Sequence, residues 1–380
     1  MKLVAKTLYG LENILADELR SLGAVDITPA NRAVIFSGNM DTIYKVNYQS
    51  RIALSVLMQI AEFRILTAKD LYNSAMKIGW NQYMDVKDTF SVVAVVKSPL
   101  FDHTGYAGLV VKDAIADYFR KKSGRRPSVD PKEPKILVNL HISNDLVTIS
   151  LDSSVVPLYK RGYRKEQTEA PLNEVLAAGI LKLSGWNASS DLLDPMCGSG
   201  TIPIEAGMIA CNIPPGKARS FFGFQKWKNF DQNHFDKMKE QEDNKICSST
   251  VSISGSDISM AAVKIARSNV IRAGLEGEVK INPDDFQNLS PRNKDTVIFI
   301  NPPYGQRLVS EDPESLYGLI GTTLKHKFNG CEAWVISSNR EAIKSVGLRP
   351  TVKYTLFNGA LECTLLKYEL YEGTHKVSKD

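Results

Sequence analysis

The stretch DLLDPMCGSGT, residues Asp191 to Thr201, sets a short apolar run directly against a glycine-rich turn. Residues 191–196 read as a buried strand, and 201–211 as the helix that follows. Gly198 and Gly200 let the backbone turn tightly and come close to a ligand. In an open α/β sheet, a glycine turn between a strand and a helix marks the crevice where nucleotide-like ligands bind. Asp194, at the strand end, is placed to hold the ammonium of an amino-acid ligand. Cys197, Gly198, Gly200 and Thr201 complete the candidate cofactor turn. The turn is not a P-loop, because the Lys-Ser/Thr ending is missing. Its plainer reading is a tight connection.

Working outward, strands and helices alternate. Strands are expected at 252–257, 278–281, 296–300 and 333–337, with helices at 260–273 and 316–327. This alternation predicts a doubly wound parallel sheet. Runs 353–357 and 361–371 flank Asn358-Gly359, a type I′ hairpin signal that adds an antiparallel strand. The connection 212–249 is long for such a fold and reads as an insertion. Its Arg219, Phe221, Phe222, Phe224, Lys226 and Trp227 mix charge and rings as single-strand binders do, or else pack the insertion onto a sheet. Upstream, 1–64 reads as a small α+β module with a strand in KLVAKTL, helices at 10–22 and 41–54, and a strand at 33–36. Residues 65–155 read as a second module, with a strand at 88–97, a helix at 105–122 and a hairpin around Ser143-Asn144-Asp145.

Three more groups fall at expected strand ends. Asp257, followed by Ile258, can accept hydrogen bonds from two ribose hydroxyls, though a lone Asp after a strand also serves as a helix N-cap. Asp285, preferred to Asp284, can accept from an adenine amino group with Phe286 packing nearby; the alternative is an exposed acidic turn. Asn301-Pro302-Pro303-Tyr304-Gly305 is the most specific signal. Its prolines fix the backbone and remove two N–H donors. The Asn301 side-chain oxygen and the Pro302 carbonyl can then converge on one exocyclic amino group. Tyr304 offers a ring for a flipped base to stack on.

Composition bounds the rest. The chain has 380 residues, which implies two or three domains, and a net charge of +5, which permits a polyanionic partner without requiring one. Five scattered cysteines form no CxxC pair, so neither a metal site nor a disulfide framework is expected. Charge interrupts the N-terminus too early for a signal peptide, and no apolar run matches a membrane span, so a cytoplasmic protein is expected. Lys121, Lys122, Arg125 and Arg126 form the densest basic run, and Lys160, Arg161 and Arg164 lie in a basic connector. Both are candidates for phosphate contact, or for solvated loops.

On DPMCGSGT, NPPYG, LYKRGYR (158–164) and APLNE (170–174), the chain resembles the THUMP-domain class I RNA methyltransferases over nearly its whole length. The resemblance implies a ferredoxin-like module over 1–64, a THUMP-like RNA-binding domain over 65–155, and a Rossmann-like methyltransferase domain over 156–380 with a seven-stranded, mostly parallel sheet. It implies S-adenosylmethionine as cofactor and an RNA partner, 23S ribosomal RNA or a ribosome-assembly intermediate. It also implies transfer to an exocyclic amino group such as guanine N2. Large members carry a second methyltransferase domain. This chain ends before one would begin, so a single reaction is expected. The NPPY motif is shared with DNA adenine-N6 methylases, so that activity is the first alternative. A non-catalytic RNA-binding assembly factor is the second. The motifs leave oligomeric state open.

Overall fold

Residues 1–165, 171–303 and 312–371 are described by the computed structural model. The chain divides into two units. The first takes Met1–Thr7, Leu15–Leu158 and Arg219–Gln241. Its strands are β1 (Lys2–Lys6), β2 (Val25–Ala30), β3 (Ala33–Ser37), β4 (Ser55–Arg64), β5 (Thr89–Lys97), β6 (Ser128–Val129), β7 (Ile136–Ser143) and β8 (Leu146–Asp152). All eight form one sheet in the order β2-β3-β1-β4-β8-β7-β5-β6. Helices α1 (Glu12–Ser21), α2 (Met40–Gln49), α3 (Ala68–Lys77) and α4 (Thr104–Ser123) accompany it. On α4, Ala107, Val111, Ala114, Ile115 and Phe119 are buried at the spacing of one helical face.

The two N-terminal modules expected from the sequence therefore share one sheet. The join is β4, which pairs with β1 from Leu3↔Met58 to Lys6↔Ser55 and with β8 from Leu57↔Asp152 to Arg64↔Leu146. Sequence reading passes over β4 because a register shift between Gln59 and Ala61 breaks its two-residue alternation. Helix α3 was equally unread, although Thr67 and Asp70 form a reciprocal capping box at its start.

The segment read as an insertion in the C-terminal domain contributes 219–241 to the first unit. Phe222, Phe224, Trp227 and Phe235 are buried. Phe224 lies 4.8 Å from Tyr44 and stacks at 5.4 Å on Phe222, and its N–H donates to the Ser153 carbonyl at 2.9 Å. Of the two readings left open for these aromatics, inward packing is the one observed, against Tyr44 of α2 and beside Ser153 just after β8.

The second unit takes Leu8–Ile14, Tyr159–Ala218 and Glu242–Asp380. Its strands are β9 (Leu192–Asp194), β10 (Ile253–Ser256), β11 (Val279–Asn282), β12 (Val297–Ile300), β13 (Glu332–Ser337), β14 (Val352–Asn358) and β15 (Leu361–Glu369), in the order β11-β10-β9-β12-β13-β15-β14. Pairing is parallel from β11 to β13, and β15 runs antiparallel to both neighbours. Helices α5 (Glu174–Leu183), α6 (Thr201–Ala210), α8 (Met260–Arg272) and α9 (Pro313–Lys327) belong here, whereas α7 (Gln232–Asp243) lies almost wholly in the first unit. Ile298, Ile300, Tyr317, Ile320, Leu324 and Val335 form the centre of its core. Strand order reverses between β9 and β12. Such a switch point opens a crevice at the carboxyl ends of the strands, where ligands bind.

The closing hairpin differs in detail from the Asn-Gly signal. Asn358 pairs with Leu361, so the two turn residues are Gly359 and Ala360. Of these only Gly359 has a positive φ, +67°. A glycine at the first turn position is the pattern of type II′, not I′. Among the described residues no helix is long and apolar enough to cross a membrane.

Candidate functional site

The β9 strand ends at Asp194, which is 1% exposed. Its carboxylate accepts from the Met196 N–H at 3.2 Å and has no cationic partner among the described residues. Burial, with the Asp257 charge adding to it, pushes the carboxyl well above the usual range. A buried acid in this state gains from an incoming cation.

The glycine turn follows. Gly198 and Gly200 both take positive φ, +54° and +83°, as the tight turn requires. A Cβ on Gly200 would also sit 3.2 Å from the Ala266 Cβ. The turn is held by hydrogen bonds within the unit. Cys197 N–H donates to the Ser256 carbonyl at 2.8 Å, Gly200 N–H to the Cys197 carbonyl at 2.8 Å, and Asn269 to the Ser199 carbonyl at 3.1 Å. Asp257 accepts the Gly198 N–H at 2.9 Å through one oxygen and the Ser259 N–H at 2.9 Å through the other. Helix α6 then starts at Thr201 with no side-chain cap.

Across the switch point, β12 ends and the chain enters Asn301-Pro302-Pro303. The Asn301 side-chain oxygen is buried and has no hydrogen-bond partner among the described residues. Such an acceptor carries a cost of about 1–3 kcal/mol until a donor reaches it. Asp194, Gly198, Thr201 and Asn301 line one cleft together with Pro171 and Leu172. Cys197 lines it too, but burial pushes its thiol well up, which leaves it protonated and inert as a nucleophile. Tyr304 lies outside the described residues.

Comparison with known proteins decides the family. Residues 161–367 match the profile described as an RMKL-like methyltransferase domain, 67–152 match the THUMP domain, and 2–57 match the RlmL ferredoxin-like domain. A Synechocystis sp. chain named as a candidate RNA methyltransferase is 38% identical over 95% of this chain and 95% of its own length. The ribosomal RNA large subunit methyltransferase K/L of Syntrophotalea carbinolica is 37% identical over 98% of this chain. This chain spans only 54% of that protein's length. The crystal structure of SMU.472, a candidate methyltransferase complexed with SAH, superposes with a TM-score of 0.88 at 29% identity, covering 98% of this chain and 99% of its own.

The chain belongs to the RMKL-like methyltransferase family.

Within this methyltransferase not every residue singled out from the sequence enters the cleft. Asp257 abuts it through Gly198, and beside Asp257 the apolar Ile258 stands 76% exposed. Asp285 and Phe286 do not line it. Asp285 caps a short 3-10 turn by accepting the Gln287 N–H at 2.9 Å. The expectation that Phe286 packs against a cofactor is corrected. Its ring is 3% exposed, belongs to the core and stacks on Phe328 at 5.5 Å.

The basic candidates divide in the same way. Lys121 and Lys122, in the last turn of α4, and Arg125 and Arg126 beyond its Gly124 cap are exposed, although Arg126 pairs with Asp117. Lys160 is exposed as well. Arg161 and Arg164 are corrections. Arg161 is 1% exposed and faces Glu205 at 3.5 Å, and Glu205 also accepts from the Tyr163 hydroxyl at 3.2 Å. Arg164, its side chain 10% exposed, donates to the Thr201 hydroxyl at 2.6 Å and the Leu172 carbonyl at 3.1 Å. Neither guanidinium is presented to a phosphate. Glu205 was missed, yet it is the single charged residue in TIPIEAGMIA, and an acid in so apolar a helix needs a buried partner.

Proposed function

We propose that this methyltransferase moves the methyl group of S-adenosylmethionine to an exocyclic amino nitrogen of a base in structured RNA, and that the base is a guanine of large-subunit ribosomal RNA, modified at N2. One observation carries the reading: the unpartnered, buried Asn301 oxygen shares a cleft with the buried, cation-free Asp194. The first wants an N–H donor and the second a positive charge. A base amino group and the ammonium of the cofactor's amino-acid end meet those needs.

The cofactor supplies a methyl group on a sulfonium, so the leaving group is good and positioning carries most of the catalysis. Asp194 holds the ammonium. Asp257 has its place beside the ribose, with Ile258 as an apolar wall for the base ring, and Asp285 is the acceptor for the adenine amino group. Asn301 and the Pro302 carbonyl accept from the target amino group. That draws its lone pair out of conjugation and toward the methyl carbon. As the N–C bond formed, the methyl–sulfur bond would break to leave a neutral thioether, and the proton lost by the nitrogen would pass to solvent water. The buried Cys197 thiol takes no part.

The matched ferredoxin-like and THUMP regions support an RNA substrate, as do relatives named for large-subunit ribosomal RNA. Lys121, Lys122, Arg125, Arg126 and Lys160 are exposed basic side chains that could meet its backbone, Arg126 while paired with Asp117. Guanine N2 rests on family resemblance alone.

The test is transfer of labelled methyl to ribosomal RNA from cells lacking the protein, run beside duplex DNA. Mass spectrometry of the hydrolysed RNA then names the nucleotide. RNA labelling with N2-methylguanine as product is expected. Label in DNA alone points to the adenine-N6 alternative, and methyladenine in the RNA overturns the choice of base.

A further inference from the structure

The corrected arginines raise a question of their own. Both lie on 159–165 in the second unit, and both turn toward consecutive turns of α6. Thr201 and Glu205 are four residues apart, hence on one face of the helix. Glu205 takes the guanidinium of Arg161 and the hydroxyl of Tyr163, while Thr201 takes that of Arg164. Between the two arginines Gly162 sits at φ +106°, and a Cβ there would lie 2.7 Å from the Ala218 carbonyl oxygen, so only glycine fits.

Arg164 differs from Arg161 in what its contacts border. Its Nη2 joins two residues that line the cleft, Leu172 and Thr201, and its Nε lies 3.5 Å from the Glu174 carboxylate as an ion pair without a hydrogen bond. Glu174 is itself buried and supplies the countercharge to the guanidinium. The same Pro171–Leu172 wall is pinned from its other end by Asn358 of the closing hairpin. Asn358 accepts the Asn173 N–H at 3.1 Å and donates to the Pro171 carbonyl at 3.4 Å.

We infer that Arg164 is a positioning residue for the methyl donor: it fixes the width of the donor cleft by tying the Leu172 carbonyl to the Thr201 hydroxyl. This rests on the donor reading of the cleft given above. Arg164 touches neither reacting group. It acts through Thr201, the first residue after the glycine turn, and through Leu172, which lines the same cleft. Lysine is a poor replacement, because its ammonium sits on a flexible stem, whereas the rigid guanidinium plane keeps Nη2 on the Leu172 carbonyl and the Thr201 hydroxyl while Nε faces the Glu174 carboxylate.

The experiment is calorimetric titration of the full chain with SAH, for the parent, Arg164→Lys, Thr201→Val and the double variant. Methyl-transfer kinetics and RNA binding across a salt series accompany it. Arg164→Lys should weaken SAH by about tenfold, the loss of one charge-assisted hydrogen bond. It should raise the donor KM in step and leave kcat at saturating donor within about threefold. Because the two side chains act as one unit, the double variant should bind SAH no worse than the weaker single one. RNA affinity and its salt slope should not change. Thr201→Val keeps the test open should Arg164→Lys fold poorly, since on its own it must weaken SAH. Unchanged SAH affinity in folded variants overturns the inference, as do additive losses. So does an RNA slope reduced by about one charge, which would return Arg164 to a phosphate contact. If the parent itself ignores SAH, the donor reading fails, a result separate from any difference between variants.

Discussion

The turn after β9 and the loop after β12 face the same cleft in opposite conditions. In the first, Cys197, Gly198 and Gly200 all donate their N–H groups within the unit, and the Ser199 carbonyl is satisfied by Asn269. In the second, Asn301 keeps a buried oxygen with no partner among the described residues. One is a finished cradle whose shape needs no ligand. The other retains an unmet acceptor, stabilised only when a donor arrives. On the proposed function, the difference separates binding from chemistry: the cradle would govern how tightly the cofactor is held, and the orphaned oxygen what is done with it.

That division can be broken most directly at Asn301. Asn301→Ala should lower kcat by about 10³-fold, the upper range for loss of one preorganised hydrogen-bonding group at a reacting centre. SAH affinity should stay within about threefold. Labelled methyl transfer and calorimetry read the two numbers, and near-normal turnover would remove Asn301 from the chemistry.

Asp257→Ala tests the cradle. It deletes the carboxylate that holds the Gly198 N–H and that is proposed to hold the ribose. Two charge-assisted hydrogen bonds of this kind correspond to about a hundredfold loss in SAH affinity. Turnover at saturating donor should fall far less. A variant that loses kcat and keeps its affinity would erase the distinction between the two loops.

Asp194 gives a pH signature. Its carboxyl is raised by burial, so its contribution to stability is complete below the ordinary carboxylate range and is lost as pH rises through the raised value. An ammonium bound against it favours the ionised form and pulls the value back down. SAH binding should therefore release up to about one proton and weaken on acidification through the raised value. Calorimetry in buffers of different ionisation enthalpy counts that proton. Asp194→Asn should abolish its release, and a release that survives the substitution would assign it to another group.

The smallest effect belongs to Gly200→Ala. An alanine at φ +83° costs about 1–2 kcal/mol, a fall of roughly 2–8 °C in Tm. The Cβ would press on Ala266 as well. A thermal melt unchanged by this substitution would show that the turn relaxes more easily than its contacts imply.

How much of this was legible in the sequence varied with the range of the physics involved. The β9 turn and Asn301-Pro302-Pro303 were read correctly as strand ends, because glycine and proline constrain the backbone locally wherever they stand. The alternation around them announced the parallel sheet. The long β4 was not read, since its bulge destroys the pattern that would reveal it. The aromatics at 222–235 have a composition that suits either an RNA surface or a core, and only Tyr44 and the Ser153 carbonyl decide for the core. Phe286, next to Asp285, turns its ring inward to Phe328.

Residue types and their local spacing determined the α/β class, the switch-point crevice and the two loops that open on it, because each depends on backbone preferences spanning only a few residues. Tertiary structure alone decided which charges face solvent. Arg161 and Arg164 look, in a basic run, no different from Arg125 and Arg126. They differ because Glu205, Thr201 and Glu174, 10–44 positions further along the chain, fold back to receive them, whereas Arg125 lies exposed. A side chain's burial depends on what the rest of the chain brings against it, and no local pattern carries that information.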